Sequence, residues 1–179
     1  MTLGEEIPIV GNWFSFYFTE NNGMAFGLQF GGEFGKLFLS VFRILAIIAI
    51  AIYLYMLSKK TKRTGLMISI SLIFAGALGN MIDSAFYGIV FTQSSFHSLG
   101  VIATEGPGYS SFLHGRVVDM LYFPIINFTQ ANGPAWLPSW IYGGDGHFIF
   151  FRPIFNIADS SITIGVFWLL LFERKHLSS

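Results

Sequence analysis

Cysteine is absent from this 179-residue chain, which excludes disulfides, thiolate nucleophiles and thiolate metal sites. The same absence means the chain cannot itself carry a lipid on cysteine. Charge is scarce: Asp, Glu, Lys and Arg make up 11% of the residues, against roughly 25% in a soluble domain. Their formal sum is zero, so no field of one sign points to nucleic acid or an acidic ligand. His97, His114, His147 and His176 lack metal-ligand spacing. No serine sits in a Gly-x-Ser-x-Gly frame. The glycine pairs Gly31-Gly32 and Gly143-Gly144 lack the Lys and helix start of a phosphate cradle.

What the chain has in excess is apolar surface. Hydrophobic residues reach 53% and phenylalanines number 21, more than a single soluble core of this size can hide. Three segments suit a bilayer, which takes about 20 residues at a rise of about 1.5 Å each. They run over 35–57, 66–82 and 154–172. All three read as helices, because a lone strand in lipid leaves its backbone unpaired. Lys59, Lys60, Lys62 and Arg63 crowd the first link, and Arg174 and Lys175 follow the third segment. By the positive-inside rule both places are cytoplasmic, so 1–34 and 84–153 lie outside. An N-terminal segment bearing Glu5, Glu6 and Glu20 then has to cross the membrane, and the simplest arrangement adds an upstream helix.

The expected architecture is a membrane α-helical bundle in one integral membrane domain over 1–179. It has three transmembrane helices here, four with the upstream one, and a small β-rich extracytoplasmic platform. The segment 1–34 reads as β-rich, with Phe14, Phe16 and Phe18 on one strand face and Asn22-Gly23 as a hairpin turn. The segment 84–153 reads as the main platform, rich in Gly, Pro and aromatics. Its Trp136 and Trp140 suit the headgroup layer of the outer membrane surface.

Polar side chains within membrane helices are costly and mark function. Gly76, Asn80 and Asp83 fall on one face of the second helix, and Asn156, Asp159 and Thr163 on one face of the third. Both sets lie at outer helix ends, and a further acid, Asp119, is embedded in apolar sequence. Carboxylates brought together in a dry site share a proton. One then activates water and the other protonates a carbonyl oxygen, as peptide hydrolysis requires. Transport is the competing use of intramembrane acids; it favours acids at mid-membrane and an internal repeat, and no repeat is visible.

Four blocks carry a specific resemblance. Glu20-Asn21-Asn22-Gly23-Met24-Ala25-Phe26 resembles an Asn-x-Gly-Ala-Ala-Phe motif, and Gly76-Ala-Leu-Gly-Asn80-Met-Ile-Asp83 a Gly-Ala-Leu-Gly-Asn-x-x-Asp-Arg motif. Val117-Val118-Asp119 resembles Val-Val-Asp-Phe, and Phe155-Asn156-Ile-Ala158-Asp159 resembles Phe-Asn-x-Ala-Asp. In this order over nearly the whole chain, they resemble the lipoprotein signal peptidases (signal peptidase II). The resemblance implies an aspartic endopeptidase of the bacterial cytoplasmic (inner) membrane, its site facing the periplasmic or outer side. It implies a lipidated prolipoprotein as substrate, cut before its diacylglyceryl-modified cysteine, with membrane lipid as surroundings and no metal, cofactor or nucleic acid. It also implies Asp119 and Asp159 as the catalytic dyad, with Asn21, Asn80, Asn156, Gly23 and Ala158 binding substrate or supporting the dyad.

The chain departs from the family pattern in several places. Ser84 stands where the second motif has Arg, leaving Arg43 and Arg116 as candidate cations. Met24 replaces a small Ala. Insertions lie between Asp83 and Val117 and between Asp119 and Phe155. The family's first helix, with its Asp-Gln motif, is not in this sequence.

Overall fold

The structure is a computed structural model that describes residues 1–21, 32–60, 63–144 and 146–174, with the side chains of 32–34 and 36 outside that description. Asn22, Gly23, Lys62, Lys175 and His176 therefore lie outside the described residues, and with them the expected hairpin turn.

Two long helices dominate. Helix α1 spans Gly32–Lys60 and α2 spans Thr64–Val90. Both are long and apolar enough to cross a membrane. Helix α1 leaves Phe38, Phe42, Leu45 and Tyr55 more than 60% exposed, a surface that calls for lipid rather than water. Helix α3, Ile157–Trp168, continues through a π-helical turn, Leu169–Glu173. It begins later than the expected 154, because Ile154–Phe155 are held in a strand instead. Helix α2 also differs: it runs eight residues past the expected end at 82. Asp83 and Ser84 interrupt the apolar text, but Ala85, Phe86, Tyr87 and Gly88 carry the helix on.

The sheet has the order β1-β2-β3-β6, all antiparallel. Its strands are β1 (Glu6–Val10), β2 (Phe14–Asn21), β3 (Val117–Tyr122) and β6 (Ile154–Phe155). A separate hairpin pairs β4 (Ile126–Thr129) with β5 (His147–Phe150). The segment 91–116, expected to be β-rich, holds only an isolated Phe91–Ile102 bridge among its described residues. It forms a strap laid back along the last turns of α2. Ser110, Leu113 and Gly115 donate backbone hydrogen bonds to the carbonyls of Gly88, Ala85 and Ser84. Side chains are small where the backbones meet: a Cβ on Gly115 would stand 2.7 Å from the Asp83 carbonyl oxygen.

A β-bulge corrects the expected strand face. Phe16 pairs with Leu121 and Thr19 with Asp119, so β2 spends three steps where β3 spends two. The extra residue inverts the alternation. Phe14 and Phe16 share a face with Leu121, whereas Phe18 turns to the opposite one. Thr19 and Asn21 consequently join Asp119.

Helix α3 packs along α2 through small residues. A Cβ on Gly76 would collide with the Ala158 carbonyl oxygen and come within 2.7 Å of Ile162, and one on Gly165 within 2.7 Å of the Ser69 carbonyl oxygen. Ser161 donates across this seam to the Leu72 carbonyl at 2.8 Å. Gly76→Leu therefore has to push the helices apart, at a cost of about 1–3 kcal/mol. It is expected to lower the thermal unfolding midpoint and activity together. Gly79→Ala, whose Cβ would rest 3.4 Å from that of Ala158, is expected to leave both nearly unchanged.

Candidate active site

Strand β6 feeds directly into α3, and its pairing with β3 brings the two acid motifs together. Phe155 pairs with Leu121, two residues from Asp119. Asn156 then forms the N-cap of α3, just outside the helix where it had been expected within one. Its Oδ1 accepts from the Asp159 amide at 2.9 Å, while the Asp159 carboxylate accepts from the Asn156 amide at 3.4 Å, a capping box. Asp159 is thereby fixed in the first turn of α3.

Five side chains make one continuous chain of hydrogen bonds. Asn21 donates to Asp119 Oδ2 at 3.4 Å. Asn156 Nδ2 donates to Asp119 Oδ1 at 2.8 Å and to Asn80 Oδ1 at 3.0 Å. Asn80 Nδ2 donates to Asp159 Oδ1 at 2.8 Å. Asn156 thus spends both amide hydrogens and its oxygen within the site, which sets the orientation of its amide. The two carboxylates are linked through amides alone.

Asp119 is only 4% exposed. Burial pushes its carboxyl up to about 6, and the negative charge of Asp159 adds to the rise; the Asn21 and Asn156 amides pull it back. Asp83 adds a smaller push upward.

Asn21, Asn80, Asp119, Asn156 and Asp159 meet here, whereas Asp83 bonds Tyr87 instead and Ala158 stays outside the network. It serves the seam, its carbonyl and methyl facing Gly76 and Gly79. Gly23 lies outside the described residues. Of the two candidate cations, Arg43 on α1 has a charge that acts on Asp159, and Arg116 is engaged elsewhere: its Nη1 donates to Glu20 Oε2 at 2.7 Å. Ser84 is 2% exposed and lies under the strap, whose Gly115 amide donates to the Ser84 carbonyl at 2.8 Å. Sequence reasoning missed Tyr87, which hydrogen-bonds Asp83; their i, i+4 spacing was the available signal.

Known proteins resemble this chain in sequence and in fold. A family model described as signal peptidase (SPase) II matches residues 1–174. A lipoprotein signal peptidase of Porphyromonas gingivalis (strain ATCC 33277) is 46% identical, the match covering 99% of this chain and 74% of that protein. One of Amoebophilus asiaticus is 36% identical, covering 98% and 67%. A bacterial membrane enzyme solved by the in meso method at 2.3 Å resolution is 27% identical, with a TM-score of 0.56 over 99% of this chain and 76% of that one. A site built from four motifs, and a match running from the first residue to Arg174, lead to one statement: the chain belongs to the signal peptidase II family.

Proposed function

We propose that this chain removes the signal peptide from diacylglyceryl-modified prolipoproteins by aspartic catalysis through Asp119 and Asp159. The observation that carries the reading is the hydrogen-bonded chain Asn21–Asp119–Asn156–Asn80–Asp159. It holds two carboxyls in one partly dry site with a single proton to share. Asp119, the more desolvated seat, keeps that proton and gives it to the scissile carbonyl oxygen. Asp159 takes a proton from the attacking water, whose oxygen bonds to the carbonyl carbon. The tetrahedral diol then collapses: the C–N bond breaks, the leaving nitrogen takes the proton from Asp159, and Asp119 recovers its own.

The placement suits a lipid-anchored substrate. Lys59, Lys60 and Arg63 mark one end of the α1–α2 hairpin, and Gly65 approaches Glu173 at the end of α3. The acids lie at the other end, which the positive-inside rule puts on the periplasmic or outer side of the cytoplasmic membrane. Acyl chains can stay in the bilayer there while the peptide bond meets water. The platform rests on the same surface: residues 120–144 carry no charged side chain, and Trp136 and Trp140 stand 80% exposed, as rings in a headgroup layer do.

The test is cleavage by the full chain in detergent, comparing a diacylglyceryl-modified prolipoprotein with its unmodified precursor. Mass spectrometry is expected to find a cut before the modified cysteine, and none in the precursor. Equal cutting of both, or a cut elsewhere, would overturn the substrate reading.

The proton on Asp119 also sets a pH dependence. Its carboxyl lies above the ordinary value for aspartate, at about 6, so the competent form is lost as pH rises through that value. kcat/KM is expected to fall on the alkaline side by about tenfold per pH unit, the slope of one essential proton.

A further inference from the structure

We infer that the Glu20–Arg116 ion pair is a register lock, a pair of positioning residues that holds Asn21 against Asp119. The inference rests on the dyad reading above. Glu20 and Asn21 are adjacent on β2 and point to opposite faces. Asn21 shares the face of Asp119, and Glu20 shares the back face with Val118 and Arg116. A slip of one residue would swing Asn21 away and bring a third carboxylate toward the dyad.

The bulge makes such a slip possible. Pairing before it, Ser15 with Tyr122 and Phe16 with Leu121, does not dictate pairing after it. Beyond the bulge, among the described residues, Thr19, Glu20 and Asn21 stand opposite Asp119, Val118 and Val117. A cavity of about 170 Å³, lined in part by Phe18, Tyr87 and Phe91, borders their back face, and the ion pair ties Glu20 to Arg116 across that face. Its 2.7 Å bond joins a Glu20 side chain only 7% exposed to an Arg116 side chain that is 33% exposed. Arg116 is itself held: its amide donates to the Tyr109 hydroxyl at 2.6 Å, and its guanidinium lies 5.5 Å from the Tyr109 ring centre. Tyr109 belongs to the strap, so the lock anchors β2 to α2 through the inserted segment. The groups acting on Asp119 are Asn21 from β2, Asn156 and Asp159 from α3 and its cap, and Asp83 from α2. The lock therefore works on Asp119 through Asn21.

The experiment uses the full chain in detergent and its lipid-modified substrate, with Arg116→Gln, Glu20→Gln, the double Glu20→Gln/Arg116→Gln, and Asp119→Asn as reference. Arg116→Gln is expected to lower kcat by about 100-fold, the cost of a displacement near 1 Å, with KM within about twofold because no substrate contact is removed. Its alkaline limb should move upward, since Asp119 loses the Asn21 hydrogen bond. A protein that is merely less folded loses amplitude and keeps its limb. Glu20→Gln, which retains an acceptor, should lose less, and the double variant should stay nearly as impaired as Arg116→Gln, because it lacks the lock while stranding no charge. Recovery in the double variant would show that an unpaired buried charge, not a lost register, caused the loss and would overturn the lock. Parent-like rates in Arg116→Gln, or a loss with the limb unmoved, would overturn the lock while an inactive Asp119→Asn leaves the dyad standing. An active Asp119→Asn would instead overturn the dyad.

Discussion

Asp119→Asn and Asp159→Asn are each expected to lower the rate of prolipoprotein cleavage by about 10⁴-fold, at the upper end of what a positioned acid or base contributes. In the proposed mechanism each change removes one of the two proton carriers and leaves the other unable to complete the cycle. The fold should survive. Asn at 119 can keep its oxygen on Asn156, the 2.8 Å bond, and give up only the 3.4 Å bond from Asn21. Asn at 159 can keep the 2.8 Å bond from Asn80 and give up the 3.4 Å contact with the Asn156 amide. The stability change is then about 1 kcal/mol or less, the worth of one weak hydrogen bond. Thermal unfolding in detergent checks this alongside the rate.

A second readout separates a coupled pair from two independent acids. Asp159 pushes the Asp119 carboxyl upward by its charge, so Asp159→Asn should bring Asp119 down from about 6 toward the ordinary range. Carboxyl carbon chemical shifts followed across pH would register it. Normal cleavage by both variants would mean that the reaction runs through other groups.

Much of this site was legible in the sequence, for physical reasons. A helix repeats its face every three or four residues, so Asn80 with Asp83 could be placed together before any coordinates. Polar side chains in apolar helices are costly enough to stand out. The pairing of Asp119 with Asp159 came from the resemblance, since 39 residues lie between them and strand pairing is non-local. The bulge at Phe16–Thr19 left no mark: an alternating run of aromatics reads as one continuous face, and only the partner strand shows the extra residue. The end of α2 was misplaced because Asp83-Ser84 looks like an exit from lipid, whereas the strap bonds the Ser84 carbonyl and Tyr87, one turn on, bonds Asp83. The Glu20–Arg116 pair had a faint signature, an acid one residue from Asn21 and a base three residues from Asp119. Its partners lie 96 positions apart, beyond the reach of local pattern.

Asn156 is the member of the site whose loss should matter most after the dyad. Its side chain does two jobs at once: it caps α3 by accepting from the Asp159 amide, and it cross-links Asn80 and Asp119 by donating to both. Asn156→Ala removes both, so it should lower stability by about 1 kcal/mol through the cap and kcat by about 100-fold through lost positioning. Asn156→Ser separates them, because serine caps nearly as well as asparagine and has no amide to reach the neighbouring strand and helix. Its unfolding midpoint should stay close to the parent's while kcat falls as far as in Asn156→Ala. The alkaline limb of kcat/KM should rise in both, since the Asn156 hydrogen bond pulls the Asp119 carboxyl down. A Ser variant that cuts at the parent rate would show that the cap alone matters. The carboxylates would then hold their places without the amide between them.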